Sequence, residues 1–256
     1  MDMDMDMDMG MGMGIGAGTG MDVDAVVFDV FGTLTDWRSS VADALAGIGG
    51  RAGLHADWPA VTDTWRRHYR PALLKMVSGG LSWAPLDELH RLTLDEALAD
   101  HGLEAFDEAD RGALVQAWHR LRAWPDAAAG LERLHHSRVI TATLSNGGIG
   151  LVTRLAKQAG LRFDCILSAE LVKSYKPDPR VYLSAAELLG VAPQRLLMVA
   201  CHPDDLEAAA GAGLRTAYIP RPLEWGPDAA PVPAPAGVDL VAADVIELAH
   251  KVTTVS

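Results

Sequence analysis

The chain is poor in cysteine, poor in positive charge and free of long apolar runs. Its 256 residues include two cysteines, Cys165 and Cys201. Two are too few for a disulfide framework and suit a reducing cytoplasm. Lysine and arginine number 22 against 34 acids, a net charge of −12. That balance argues against a nucleic-acid or anionic-membrane partner. No uncharged apolar stretch approaches the roughly 18 residues a membrane span needs. The first twenty residues, MDMDMDMDMGMGMGIGAGTG, lack the basic segment and apolar core of a secretory signal. Their alternating Met and Asp imitate a strand, but the glycines that follow cannot pack. Residues 1–20 therefore read as a disordered low-complexity tail.

What remains is long enough for one compact core or two small ones. Asp24–Asp29 is an apolar run ending in an acid and reads as a buried strand. Between Ser39 and Arg122 strand alternation is missing and only helical signals occur. They are an Ala-rich stretch from Ser39 to Ile48, a helix opened by Asp57 and Pro59 that runs through Trp65 and Tyr69, one opened by Pro85, and one over Phe106–Leu121 with Asp107 as its cap. From Trp124 the pattern changes. Helices over Asp126–His136, Ile149–Ala159, Pro179–Leu189 and Asp204–Ala212 lead in turn to strands over Arg138–Leu144, Phe163–Leu167, Arg195–Ala200 and Arg215–Ile219. A proline-rich loop, a short segment Val238–Val241 and a helix over Val245–Val252 close the chain. Such alternation implies right-handed crossovers and a parallel sheet. The expected fold is α/β: a Rossmann-like parallel-sheet core, residues 21–37 and 123–256, with an inserted all-helical cap domain, residues 38–122.

Ligand sites in such sheets lie at the carboxyl ends of the strands. Four of these ends carry polar groups: Asp29 in F-D-V-F-G-T-L-T-D, Ser145-Asn146-Gly147 after T-A-T-L, Lys176 in S-Y-K-P-D-P-R-V-Y, and His202-Pro203-Asp204-Asp205 after L-M-V-A-C. A carboxylate, a hydroxyl and amide, an ammonium and a His/acid cluster suit nucleophilic catalysis by a carboxylate. Phe31 stands two positions after Asp29, where a second acid would protonate an alkoxide leaving group.

These ordered motifs, over residues 24–252, resemble the haloacid dehalogenase superfamily, and most closely its type II L-2-haloacid dehalogenases. F-D-V-F-G-T-L-T-D-W is similar to their first motif, Trp65-Arg66 to a pair in their cap, S-N-G to the second motif and Y-K-P-D-P-R-V-Y to the third. The resemblance implies that Asp29 attacks the α-carbon of a small (S)-2-haloalkanoate, forming an ester that water cleaves to an (R)-2-hydroxy acid. It implies Arg66 and Asn146 on the halide, and Ser145 and Lys176 on the substrate carboxylate or on Asp29. Tyr182 is at a matching position, Thr33 is either a loop staple or a hydroxyl that orients the nucleophile, and Phe31 would line the pocket. It further implies no metal or other cofactor and a homodimer. His202 departs from the family pattern, either positioning water or acting as the base, with Asp36 or Asp205 as its partner. Asp204 makes the pocket edge smaller and more acidic than usual, which favours small substrates, fluoroacetate included.

Other readings stand beside these. A magnesium-dependent phosphatase of the same superfamily would use Asp29 with Asp204 or Asp205 as oxygen ligands, and Phe31 points away from it. A silent binding module on the same fold predicts no turnover. Arg66 competes with Arg67 and Arg70 for the inward position. Trp83 is either a pocket wall or packing between cap and core. Cys201 reads as a small buried hydrophobe.

Overall fold

The computed structural model describes residues 21–253, and the expected tail at residues 1–20 lies outside them. The chain opens with β1 (Ala25–Phe28), four buried residues. It continues through β2 (Thr35–Asp36), α1 (Trp37–Arg51), α2 (Trp58–Val77), α3 (Leu86–Asp100), α4 (Glu108–Ala117) and β3 (Arg122–Ala123). Then follow α5 (Ala127–His135), β4 (Ile140–Ser145), α6 (Ile149–Ala159), β5 (Cys165–Ser168), α7 (Pro179–Leu189), β6 (Leu196–Ala200), α8 (Pro203–Gly211), β7 (Arg215–Tyr218), β8 (Leu240–Val241) and α9 (Val245–Thr253). Six strands form a parallel sheet in the order β5-β4-β1-β6-β7-β8. Strand order reverses beside β1, which pairs with both β4 and β6. A crevice opens at the carboxyl ends where connections part in this way.

The four helices between β2 and β3 form the inserted cap. Three of them start on an aspartate: Asp36, Asp57 and Asp107 accept from the backbone amides of Ser39, Ala60 and Asp110, each satisfying a donor that has no partner within the helix. β2 and β3 pair antiparallel as a two-residue ribbon at the foot of the cap, too short to show as alternation in the sequence. The expected helix over Phe106–Leu121 is broken. α4 stops at Ala117, and Trp118–Arg120 tightens into a 3-10 turn that returns the chain to β3. Trp118 is buried there, stacked on Trp37 with ring centres 6.0 Å apart and edge-on to Phe31 at 5.7 Å and Trp65 at 5.6 Å. Aromatic burial of this kind dominates local packing and seats the cap on the loop after β1.

β5 begins at Cys165, not Phe163. Phe163 packs against Phe28 instead, ring centres 6.2 Å apart, and Asp164 accepts from the Thr141 amide and hydroxyl. Among the described residues no helix is long and apolar enough to cross a membrane.

Candidate active site

Asp29 is the first residue after β1, and its amide donates to the Val199 carbonyl at 3.0 Å. The carboxyl group therefore emerges between β4 and β6, at the floor of a cavity of about 390 Å³. Lys176 Nζ donates to Oδ1 at 2.9 Å and the Thr33 hydroxyl to Oδ2 at 2.8 Å. His202 Nδ1 lies 3.3 Å from Oδ2. Burial alone would favour a neutral Asp29. Lys176 and His202 outweigh it and hold the carboxyl well below the usual carboxylate range.

Lys176 is shared. Its ammonium also donates to Asp205 Oδ2 at 2.5 Å, and Asp205 Oδ1 accepts from the Tyr182 hydroxyl at 2.6 Å. Burial opposes the charge on Lys176, but Asp205 and Asp29 together raise its pKa above the ordinary lysine value. Burial pushes the Tyr182 phenol up, with Asp205 adding to it, so this hydroxyl is a donor. Asp205 itself is pushed up, first by burial. Asn146 Oδ1 accepts from the Lys176 amide at 2.7 Å, which ties the β4 end to the lysine loop.

The cap contributes from α2. Arg66 lines the cavity, with its guanidinium 4.6 Å from the Tyr69 ring centre, 5.2 Å from Trp37 and 5.8 Å from Trp118. Its buried Nη1 has no hydrogen-bond partner among the described residues. Arg67 donates to the Thr64 hydroxyl, and Arg70 pairs with Asp204 at 2.5 Å. Of the three arginines, Arg66 is the one packed inward. Phe31 also lines the cavity, so the position two after Asp29 presents a ring, not an acid.

For Trp83 the packing reading holds, and the placements expected of Ser145 and Asp36 differ. Trp83 is not among the residues lining the cavity; it packs half-buried against the apolar core ahead of α3, where Tyr175 donates to the adjacent Ala84 carbonyl. Ser145 is fully buried and accepts from the Gly147 amide at 3.0 Å; it shapes the turn that presents Asn146 and is not among the residues lining the cavity. Asp36 caps α1, and the ion pairs of His202 go to Asp29 and Glu224 instead. In its place stands Glu224, buried in the proline-rich loop after β7 and outside the four strand-end motifs. It accepts from His202 Nε2 at 2.9 Å and from Trp37 Nε1 at 3.0 Å. Against burial, His202 holds its carboxyl below the usual range. Only an acid set between two bulky residues, Leu223 and Trp225, marks it in the sequence.

Cys201 and His202 with Glu224 bring one sulfur, one nitrogen and one oxygen within 4.8 Å of one another. The His202 and Glu224 atoms are already bonded to each other, and burial pushes the Cys201 thiol up. Neutral thiol and satisfied partners make this a poor metal set.

A parallel α/β sheet, a helical cap and an aspartate with a lysine at the strand ends define a class of hydrolase. The haloacid dehalogenase-like hydrolase pattern matches residues 23–213, and the chain belongs to that family. Among characterised relatives, it is 33% identical to (S)-2-haloacid dehalogenase 1 of Pseudomonas sp. (strain CBS-3), over 78% of this chain and 85% of that one. It is 34% identical to (S)-2-haloacid dehalogenase 4A of Burkholderia cepacia, over 77% and 83%. The fold superposes on the crystal structure of a defluorinating L-2-haloacid dehalogenase with TM-score 0.87 and 40% identity, covering 92% of this chain and 97% of the other. The L-2-haloacid dehalogenase of Xanthobacter autotrophicus with chloropropionic acid covalently bound gives TM-score 0.77 and 27% identity, covering 91% and 100%.

Proposed function

We propose that the protein hydrolyses small (S)-2-haloalkanoic acids to (R)-2-hydroxy acids and halide through an ester on Asp29. The observation that carries this is Asp29 at the cavity floor, held by Lys176 and Thr33, with Phe31, not an acid, two residues on. An Asp29 oxygen attacks the α-carbon opposite the halogen. The new C–O bond forms as the carbon–halogen bond breaks, and the centre inverts. Halide leaves as a stable anion and needs no proton, so an apolar residue at position 31 costs this reaction nothing. A phosphate ester would need an acid there.

Arg66 and Asn146 take the departing halide, and the unpartnered Arg66 Nη1 supplies a donor where charge develops. Lys176 and Thr33 fix Asp29 for attack at a near-contact distance of about 3–3.5 Å. Ser145 acts through the turn that carries Asn146. Water then attacks the Asp29 carbonyl carbon and frees the hydroxy acid. Asp205, one of the oxygen donors a magnesium-dependent phosphatase would use, has both oxygens held, by Lys176 and by Tyr182. The names of the relatives support the substrate class, and the neighbour with covalently bound chloropropionic acid supports a covalent route. A homodimer in the cytoplasm, free of metal, belongs to the same proposal, and light scattering tests the dimer.

The test is halide release from each enantiomer of 2-chloropropionate and from fluoroacetate, in EDTA. Release from the (S) enantiomer and not the (R) is expected. No release from any of them, with magnesium-dependent hydrolysis of an aryl phosphate in parallel, replaces this proposal with the phosphatase.

A further inference from the structure

Glu224 is a buried acid that the displacement step does not use. We propose that Glu224 and His202 form the base that activates the hydrolytic water, and that esterification of Asp29 is what arms it; this rests on the aspartyl-ester reading above. The geometry places His202 Nδ1 3.3 Å from Asp29 Oδ2, beside the carboxyl carbon that water must attack. On the far side of the ring, Nε2 is fixed by Glu224 at 2.9 Å. Glu224 is fixed in turn by Trp37 Nε1 and enters a space that only glycine leaves open: a Cβ on Gly32 would lie 2.3 Å from Glu224 Oε1. Asp205, the other candidate base, has one oxygen on Lys176 and the other on Tyr182.

The titratable groups facing the His202 ring are Asp29 from the end of β1, Cys201 beside it, Glu224 from the loop and Tyr218 from β7. Lys176 faces Asp29, and Arg66 faces Glu224. In the free enzyme burial opposes a proton on His202. The Cys201 sulfur, Glu224 and Asp29 outweigh it and raise the ring's pKa well above the usual histidine value. With the thiol kept neutral, the weight falls on the two carboxylates. Ester formation cancels the charge of Asp29, and the imidazolium releases its proton to solvent. Neutral Nδ1 then takes a proton from water as the oxygen adds to the Asp29 carbonyl carbon. Collapse of the tetrahedral adduct breaks the bond to the product oxygen, which takes that proton from His202. The new Asp29 carboxyl passes its remaining proton to Nδ1, restoring the starting pair. One proton leaves per turnover, as hydrolysis of a carbon–halogen bond requires.

The experiment is single-turnover kinetics on the full chain with (S)-2-chloropropionate, following halide, intact mass and pH. Wild type should give a halide burst, with ester hydrolysis rising through one ionisation as pH rises. Glu224→Gln should keep the burst, accumulate the ester adduct and slow hydrolysis on the order of 10²-fold. Its ionisation should move to lower pH, because an amide no longer stabilises the imidazolium. His202→Gln should stall alike with the ionisation gone, and the double variant should be no slower than His202→Gln. A halide burst followed by wild-type hydrolysis and an unmoved profile in Glu224→Gln overturns the dyad alone. If that variant does not fold, pH-independent hydrolysis in wild type overturns it. Absence of any halide release from wild type overturns the ester reading instead.

Discussion

The Asp29 carboxylate is removed from water yet met by an ammonium, a hydroxyl and an imidazole within 3.3 Å. Burial would push its ionisation up toward neutral pH, and Lys176 and His202 pull it down. A depressed pKa leaves the nucleophile charged until the pH falls below the ordinary carboxylate value of about 3.9. The halide burst should therefore stay flat from about pH 8 down to about pH 5. A burst that declines over that range would mean burial prevails. Asp29→Asn replaces the nucleophile with a neutral amide, and no halide should appear in an ion-selective electrode assay. At Arg66 the guanidinium has aromatic rings around it and an idle nitrogen. Arg66→Ala should lower turnover on the order of 10²–10³-fold with the circular dichroism spectrum unchanged. A greater loss from Arg67→Ala would show that the inward arginine is misassigned.

At the scale of elements, legibility followed regularity. The parallel strands were readable because helix and strand periods alternate, and Asp29, Asn146 and Lys176 were readable because they follow such strands. The β2–β3 ribbon escaped because two residues have no period. Phe163 misled because an apolar residue at a strand's edge packs on a neighbouring ring as well as it would pair. Glu224 escaped for a different reason: its loop is held by tertiary contacts, among them Arg221, which donates to the Thr33 carbonyl at 2.8 Å and pairs with Asp126. Ser145 was found but its use was not, since a hydroxyl after a strand serves a turn or a ligand equally well. The loop after β1 also carries a backbone requirement, for Gly32 has φ +90° and no room for a Cβ. Gly32→Ala should cost about 1–3 kcal/mol, read from the urea midpoint, and should slow ester hydrolysis as Glu224 is displaced. A variant with wild-type stability and hydrolysis would refute that account of the loop.

Across the whole molecule, cap and core meet through the aromatic cluster around Trp118, the Tyr175–Ala84 bond and one ion pair at the cavity mouth, Arg70 with Asp204. The apolar contacts are buried and carry stability. The ion pair is 60% and 45% exposed, so water and salt screen it and it contributes at most about 1 kcal/mol to folding. Its effect should fall on the substrate instead. A 2-haloacid arrives as an anion, and Asp204 both repels it and neutralises Arg70 at the entrance. Asp204→Asn should lower the melting temperature by no more than about 2–4 °C while freeing Arg70 to attract the substrate. One charge at contact in the dielectric of bulk water is worth roughly 1 kcal/mol, so KM should fall by about fivefold at low salt. The advantage should fade as ionic strength approaches about 1 M, where the screening length shrinks to about 3 Å. An unchanged KM, or a fall that persists at high salt, would show that Asp204 acts on the shape of the mouth and not on the charge of what enters it.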